Sequence, residues 1–154
     1  MLRHAIVRPP AANFADGLTS VDLGKPDFDK ALDQHTRYCE ALQLCGLELT
    51  RLAADADFPD STFVEDTAVL TQQTAILTRP GARSREGEVI GTEQALRQVY
   101  SRFHAVAAPG TVDGGDVCEA DGHFFIGLSE RTNELGARQL AGFTQQARLP
   151  PTLV

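Results

Sequence analysis

The chain has 154 residues, 42% hydrophobic and 23% charged, with a net charge of −7 and an isoelectric point near 5.0. This is the composition of a globular protein long enough to bury a domain-sized core, and it excludes a disordered chain. The acidity argues against nucleic acid, which is bound through basic patches, and suits a cationic small ligand or simply solubility.

Residues 4–8 alternate around Ala5, Ile6 and Val7 and predict a first strand, ended by Pro9 and Pro10. The opening has neither the apolar stretch nor the cleavage site of a signal peptide, and no later apolar run approaches the ~18 residues of a membrane span. A polar loop carrying Asp16-Gly17-Leu18-Thr19-Ser20 follows. From Asp27 to Leu44, Phe28, Ala31, Leu32, His35, Tyr38, Cys39 and Leu42 recur at three- and four-residue steps, which predicts an amphipathic helix. Gly46 is placed to end it, and residues 47–52 alternate like a strand. Cys39, Cys45 and Cys118 form no CxxC pair, so they read as reduced thiols of a cytoplasmic protein.

The remainder contains a repeat. Asp66 to Leu70 runs through Gln72-Gln73 into Thr74 to Leu77, then to Arg79, Arg85 and a helix predicted from Glu86 to Tyr100. About fifty residues on, Asp116 to Ala120 runs through Asp121-Gly122 into His123 to Gly127, then to Arg131 and a helix from Asn133 to Gln146. Asp-Gly is a strong hairpin signal and lends support to the first copy. Each unit reads carboxylate, hairpin, arginine, helix, a period that suggests a propeller or array. The run Leu149 to Val154 looks like the opening of another strand with nothing after it.

Three groups of residues could carry chemistry. Asp60, Glu65 and Asp66 sit beside an apolar strand, where carboxylates are costly unless paired or facing a ligand, although such a scatter is commonly a solvated turn. In Asp113-Gly114-Gly115-Asp116 the glycines allow conformations closed to other residues and let a ligand come near, or simply make a tight turn. Arg85 and Arg131 each follow a hairpin and could grip a carboxylate, or equally pair with local acids at a helix start. The four histidines have no ligand-like spacing, and a dyad of Cys118 with His123 is only speculative. No phosphate loop, GxSxG or zinc motif occurs, so neither a cofactor nor a metal is expected.

Taken in order and spacing, residues 16–20, 63–66, 78–85, 110–117 and 127–133 resemble the dimethylarginine dimethylaminohydrolases, members of the pentein, guanidine-modifying superfamily. The Gly114-Gly115-Asp116 element is shared across that superfamily; the stretch from Phe63 to Arg85 together with Ser129 to Asn133 is more specific. The resemblance implies an α/β fold, a five-bladed propeller of ββαβ-type units. Five units would need roughly 250 residues, so residues 1–154 are expected to form part of a single domain, with about three units present and the C-terminal ones absent.

The resemblance also implies an activity: hydrolysis of mono- and asymmetric dimethylarginine to citrulline plus methylamine or dimethylamine, through a thiouronium on a cysteine. Asp113, as a catalytic residue, and Asp66 would face the guanidinium. Asp60 and the backbone of Leu18 would receive the α-amino end, Arg85 and Arg131 the α-carboxylate, and Glu65 the pocket edge. The family's histidine and nucleophilic cysteine fall beyond the equivalent of Val154, so the 154 residues alone are expected to be inactive. The expected partner is a small molecule, with no nucleic acid or membrane and with homo-oligomer formation open. The alternatives are an arginine deiminase or amidinotransferase relative, or an inactive binding module for arginine-like cations.

Overall fold

The computed structural model describes residues 3–154; Met1 and Leu2, at the head of the opening segment, lie outside them. The chain divides into two compact units, Met1–Val64 and Glu65–Val154. Among the described residues no helix is long and apolar enough to cross a membrane.

The first unit is a βαβ crossover. β1 (His4–Val7) lies parallel to β2 (Glu48–Arg51), and α1 (Phe28–Leu44) connects them. The Asp27 carboxylate accepts from the Lys30 N–H at 2.9 Å, capping one of the helix's orphan donors. At the other end Gly46 takes φ +85°, and the Leu47 and Gly46 N–H groups return to the Leu42 and Gln43 carbonyls. That is a Schellman stop, and its left-handed residue favours glycine. Cys39 is buried on the inner stripe, with Phe28, Ala31, Leu32, His35 and Leu42 half-buried beside it; Tyr38, expected on the same stripe, faces solvent.

The second unit contains the repeat. Its first copy is β3 (Ala68–Leu70), β4 (Ala75–Leu77), α2 (Val89–Leu96) and β5 (Phe103–Ala105). Its second is β6 (Val117–Ala120), β7 (His123–Ile126), α3 (Glu134–Gln146) and β8 (Pro151–Leu153). Both sheets have the same plan: the hairpin is antiparallel, and the strand after the helix adds in parallel beside the hairpin's second strand. Asp121 and Gly122 take φ of 51° and 74° at the hairpin tip, as a type I′ turn needs at both central positions.

One expectation changes. The helix predicted from Glu86 to Tyr100 is a 3-10 turn over Arg83–Glu88 followed by α2 alone. Gly87, Gly91 and the β-branched Val89, Ile90 and Thr92 are weak helix formers, so little local propensity supports a longer element. β5 takes the place of the last strand in the ββαβ unit that the resemblance implies; its three residues carry no period of their own, and the strand exists through its pairing with β4. The strand expected in the terminal segment is present as β8, which pairs in parallel with β7.

Val69, Ile76, Val106, Val112, Phe124, Ile126, Ala137 and Leu140 form a core running through both copies. α3 packs on β7 and β8, and it is also held to the end of the first copy. Phe143 stacks on His104 at 4.5 Å between centroids, and the Gln139 amide bonds both the N–H and the C=O of Ala107. Ile76, in the middle of β4, is fully buried, whereas its counterpart Phe125 in β7 is 40% exposed.

The two glycines of α3 differ in a testable way. A Cβ on Gly136 would collide with the Thr111 carbonyl oxygen, while one on Gly142 would meet nothing within 4 Å. Gly142→Ala should therefore stabilise the chain by about 0.5–1 kcal/mol through helix propensity. Gly136→Ala should destabilise it by about 1–3 kcal/mol despite the same propensity gain. Urea denaturation of both variants checks this; equal shifts would show that the backbone approach at Thr111 is loose.

Candidate functional site: a buried carboxylate–arginine cluster

The site is built where the start of each hairpin comes against the turn after the first one. The 3-10 turn Val64–Thr67 delivers Glu65 and Asp66 just before β3, and Gly114–Asp116 forms the matching turn before β6. Gly115 donates its N–H to Asp66 Oδ1 at 2.8 Å. A Cβ on Gly114 would strike the Glu65 carbonyl, and one on Gly115 would lie 2.8 Å from Asp66 Oδ1. Neither glycine has a positive φ. The pair is thus required for the absence of a side chain where two backbones meet, and the rare conformations expected from the sequence are not used.

Arg85 lies at the centre. Its Nε donates to both Glu88 oxygens at 3.1 Å, and Nη2 donates to Glu88 Oε2 at 2.8 Å. Nη1 donates to Asp66 Oδ2 at 2.6 Å and stands 3.9 Å from Asp113 Oδ2. Exposure is 6% for Arg85, 1% for Glu88 and 7% for Asp113, so these charges are nearly dry. Burial disfavours a charged guanidinium, but the hydrogen bonds and charges of Glu88 and Asp66 outweigh it and raise the pKa of Arg85 further. Among the described residues, the carboxylates of Asp66, Glu88 and Asp113 face this guanidinium.

Asp113 is held from two sides. Its Oδ1 accepts from the Gly81 N–H at 2.8 Å, and its own N–H donates to Thr132 Oγ1 at 3.1 Å. Burial raises its pKa above the ordinary carboxylate value, and the neighbouring Asp66 adds to this. The Gly81 amide, Arg85 and Arg131 oppose the shift without cancelling it. Glu65, at the edge of the cluster, is also raised, first by loss of water around its carboxyl and further by Asp66.

The structure brings Glu65, Asp66, Arg85 and Asp113 together, with Arg131 close enough to act on the Asp113 charge. The two arginines differ in their surroundings. Arg85 is buried among acids, the local pairing that the sequence left open, while the half-buried Arg131 makes no ion pair within 4 Å among the described residues. Leu18 and Asp60 belong to the first unit, where the Leu18 N–H donates to both oxygens of the buried Asp60 carboxylate at 3.0 and 3.1 Å. Glu88 was missed by sequence reading; its only signal is the three-residue step from Arg85.

No protein-family model matches the chain. The N-terminal domain of a cyanobacterial arginine dihydrolase, bound to substrate, matches 97% of the chain with a TM-score of 0.85 at 13% identity, and so shows the fold alone. The chain has the α/β pentein fold. The N(G),N(G)-dimethylarginine dimethylaminohydrolase of Pseudomonas aeruginosa is 46% identical over the whole chain. A mutant of that protein complexed with citrulline superposes with a TM-score of 0.98 over the whole chain. In sequence and in fold the chain is a homologue of these dimethylarginine dimethylaminohydrolases. It spans about three fifths of that relative's length, 61%.

Proposed function

We propose that this chain carries the substrate-orienting part of an enzyme that hydrolyses mono- and asymmetric dimethylarginine to citrulline and methylamine or dimethylamine. The observation that carries the reading is the cluster of buried Arg85, Glu88 and Asp113 with half-buried Asp66, in a chain 46% identical to a protein named for that reaction. Fixed carboxylates suit a guanidinium, which offers several N–H donors in a rigid fork. Asp113 and Asp66 would hold the fork so that its central carbon faces an attacking thiolate. Displacement of the methylated amine and hydrolysis of the thiouronium by water would then give citrulline. Asp60 and the Leu18 backbone would take the α-amino group, and Glu65 would shape the rim.

The reading treats residues 1–154 as part of a five-unit domain, placed in the cytoplasm in keeping with three free cysteines. It takes no cofactor or nucleic acid as partner. The exposed Phe125 face is a candidate for self-association, which light scattering on the 154-residue chain would detect as a mass above the monomer; a strictly monomeric chain would argue against it.

The two arginines give the test of the substrate. The chain is fused at Val154 to the remaining part of the P. aeruginosa relative, and this completed chain is assayed with methylarginine and with its decarboxylated analogue. Arg131→Ala should raise KM for methylarginine by at least tenfold and leave the analogue nearly unaffected. Arg85→Ala should damage both, because it leaves Glu88 and Asp66 without their shared cation. An Arg85→Ala effect confined to methylarginine would mean that this guanidinium also grips the α-carboxylate. No discrimination from Arg131→Ala would remove Arg131 from the site.

A further inference from the structure

Asp116 has no place in the chemistry above, yet one of its oxygens joins the two sides of the site. Its Oδ2 accepts from the Thr132 hydroxyl at 2.6 Å and from the Ser129 hydroxyl at 2.7 Å. The Thr132 oxygen is in turn the acceptor for the Asp113 N–H at 3.1 Å, and Thr132 is completely buried. The Ser129 oxygen accepts from the N–H groups of Arg131 and Thr132 at 2.9 and 3.0 Å. Asp116 is also anchored through its backbone, donating to the Asp113 carbonyl at 3.1 Å and accepting from Gly127 at 2.8 Å.

Hydroxyl donors to a carboxylate are short and strong, and here each hydroxyl spends its single hydrogen on Asp116, which leaves its oxygen turned toward an amide. One arm of the junction ends on the backbone of Asp113. The other ends on the backbone of Arg131. Gly81 adds a third constraint, since it donates to Asp113 while its Cα lies flat against the Arg131 backbone, where a Cβ would collide.

We propose that Asp116 is a positioning residue that sets the separation between the Asp113 carboxylate and the Arg131 guanidinium, and so matches the site to the length of its substrate. This rests on the assignment of Asp113 to the guanidinium end and Arg131 to the carboxylate end. Only the Thr132 hydroxyl reaches Asp113 and only the Ser129 hydroxyl reaches Arg131, so their loss should weigh on different constants even though Ser129 also holds the Thr132 N–H. In the completed chain, Thr132→Val cuts the Asp113 arm and should lower kcat about tenfold with little change in KM. Ser129→Ala cuts the Arg131 arm and should raise KM about tenfold with little change in kcat. Asp116→Ala should do both, and Asp116→Asn, which keeps an acceptor oxygen for the two hydroxyls, should recover most of each.

Variants that lower only thermal stability, with kcat and KM unchanged for the folded protein, would overturn the proposal. If the unsubstituted completed chain does not hydrolyse methylarginine, the functional reading fails by itself. The junction is then read from amide hydrogen exchange in the 154-residue chain. There Thr132→Val should speed exchange of the Asp113 N–H while Ser129→Ala leaves it slow; no change in Thr132→Val would overturn the Asp113 arm.

Discussion

Glu88→Ala should destabilise the 154-residue chain by about 3–5 kcal/mol, a large share of the stability of a domain this size. The substitution removes the carboxylate that takes Nε and Nη2 of Arg85, in a place where water cannot substitute for it. Arg85 cannot escape by losing its proton, since its pKa is raised and not lowered. The comparison is Asp33→Ala, which breaks the exposed α1 pair with Arg37 at 2.9 Å and should shift stability by no more than about 0.5 kcal/mol. Replacing Arg85 and Glu88 together with apolar residues should recover only part of the loss, because Asp66, which shares the guanidinium at 2.6 Å, is then left without it. Equal small effects of Glu88→Ala and Asp33→Ala in urea melts would mean that water reaches the cluster.

Asp113→Asn should move activity and stability in opposite directions. In the completed chain kcat should fall by about 10²–10³-fold, the scale of losing one preorganised electrostatic group. The amide keeps an oxygen for the Gly81 N–H, so the fold loses no anchor. The folded pKa of Asp113 is raised, chiefly by burial. Its contribution to stability is therefore most favourable below the unfolded pKa, near 4, and is lost as pH rises through the folded value. The 154-residue Asp113→Asn chain should accordingly be more stable than the parent at pH 7, with the advantage vanishing toward pH 3. A variant less stable than the parent at pH 7, with normal turnover when completed, would make Asp113 a structural residue.

What could be read from the sequence follows from how local each feature is. The Asp121-Gly122 hairpin, α1 and α3 declare themselves through turn chemistry and period, and the repeat follows from their order. β5 and the short α2 do not, since one exists by pairing with β4 and the other is trimmed by Gly87 and Gly91. In the site, Asp66, Arg85 and Asp113 stand out as charges beside apolar strands. Glu88 reads as an ordinary surface glutamate, because its burial is a tertiary fact. The same holds for Gly114 and Gly115: the sequence says that glycine is needed but not that its neighbours are Glu65 and Asp66.

The central claim is that this acidic cluster orients a methylated guanidinium for hydrolysis. The most direct measurement is citrulline release from asymmetric dimethylarginine by the completed chain, its Asp113→Asn variant and the 154-residue chain alone. None of the three cysteines bonds to the cluster among the described residues: Cys39 is buried in α1, while Cys45 and Cys118 are exposed. The account predicts steady release by the completed chain, a loss of at least a hundredfold in the variant, and none from the 154 residues above a boiled control. Citrulline from the 154-residue chain, or equal release with and without the Asp113 charge, would contradict it.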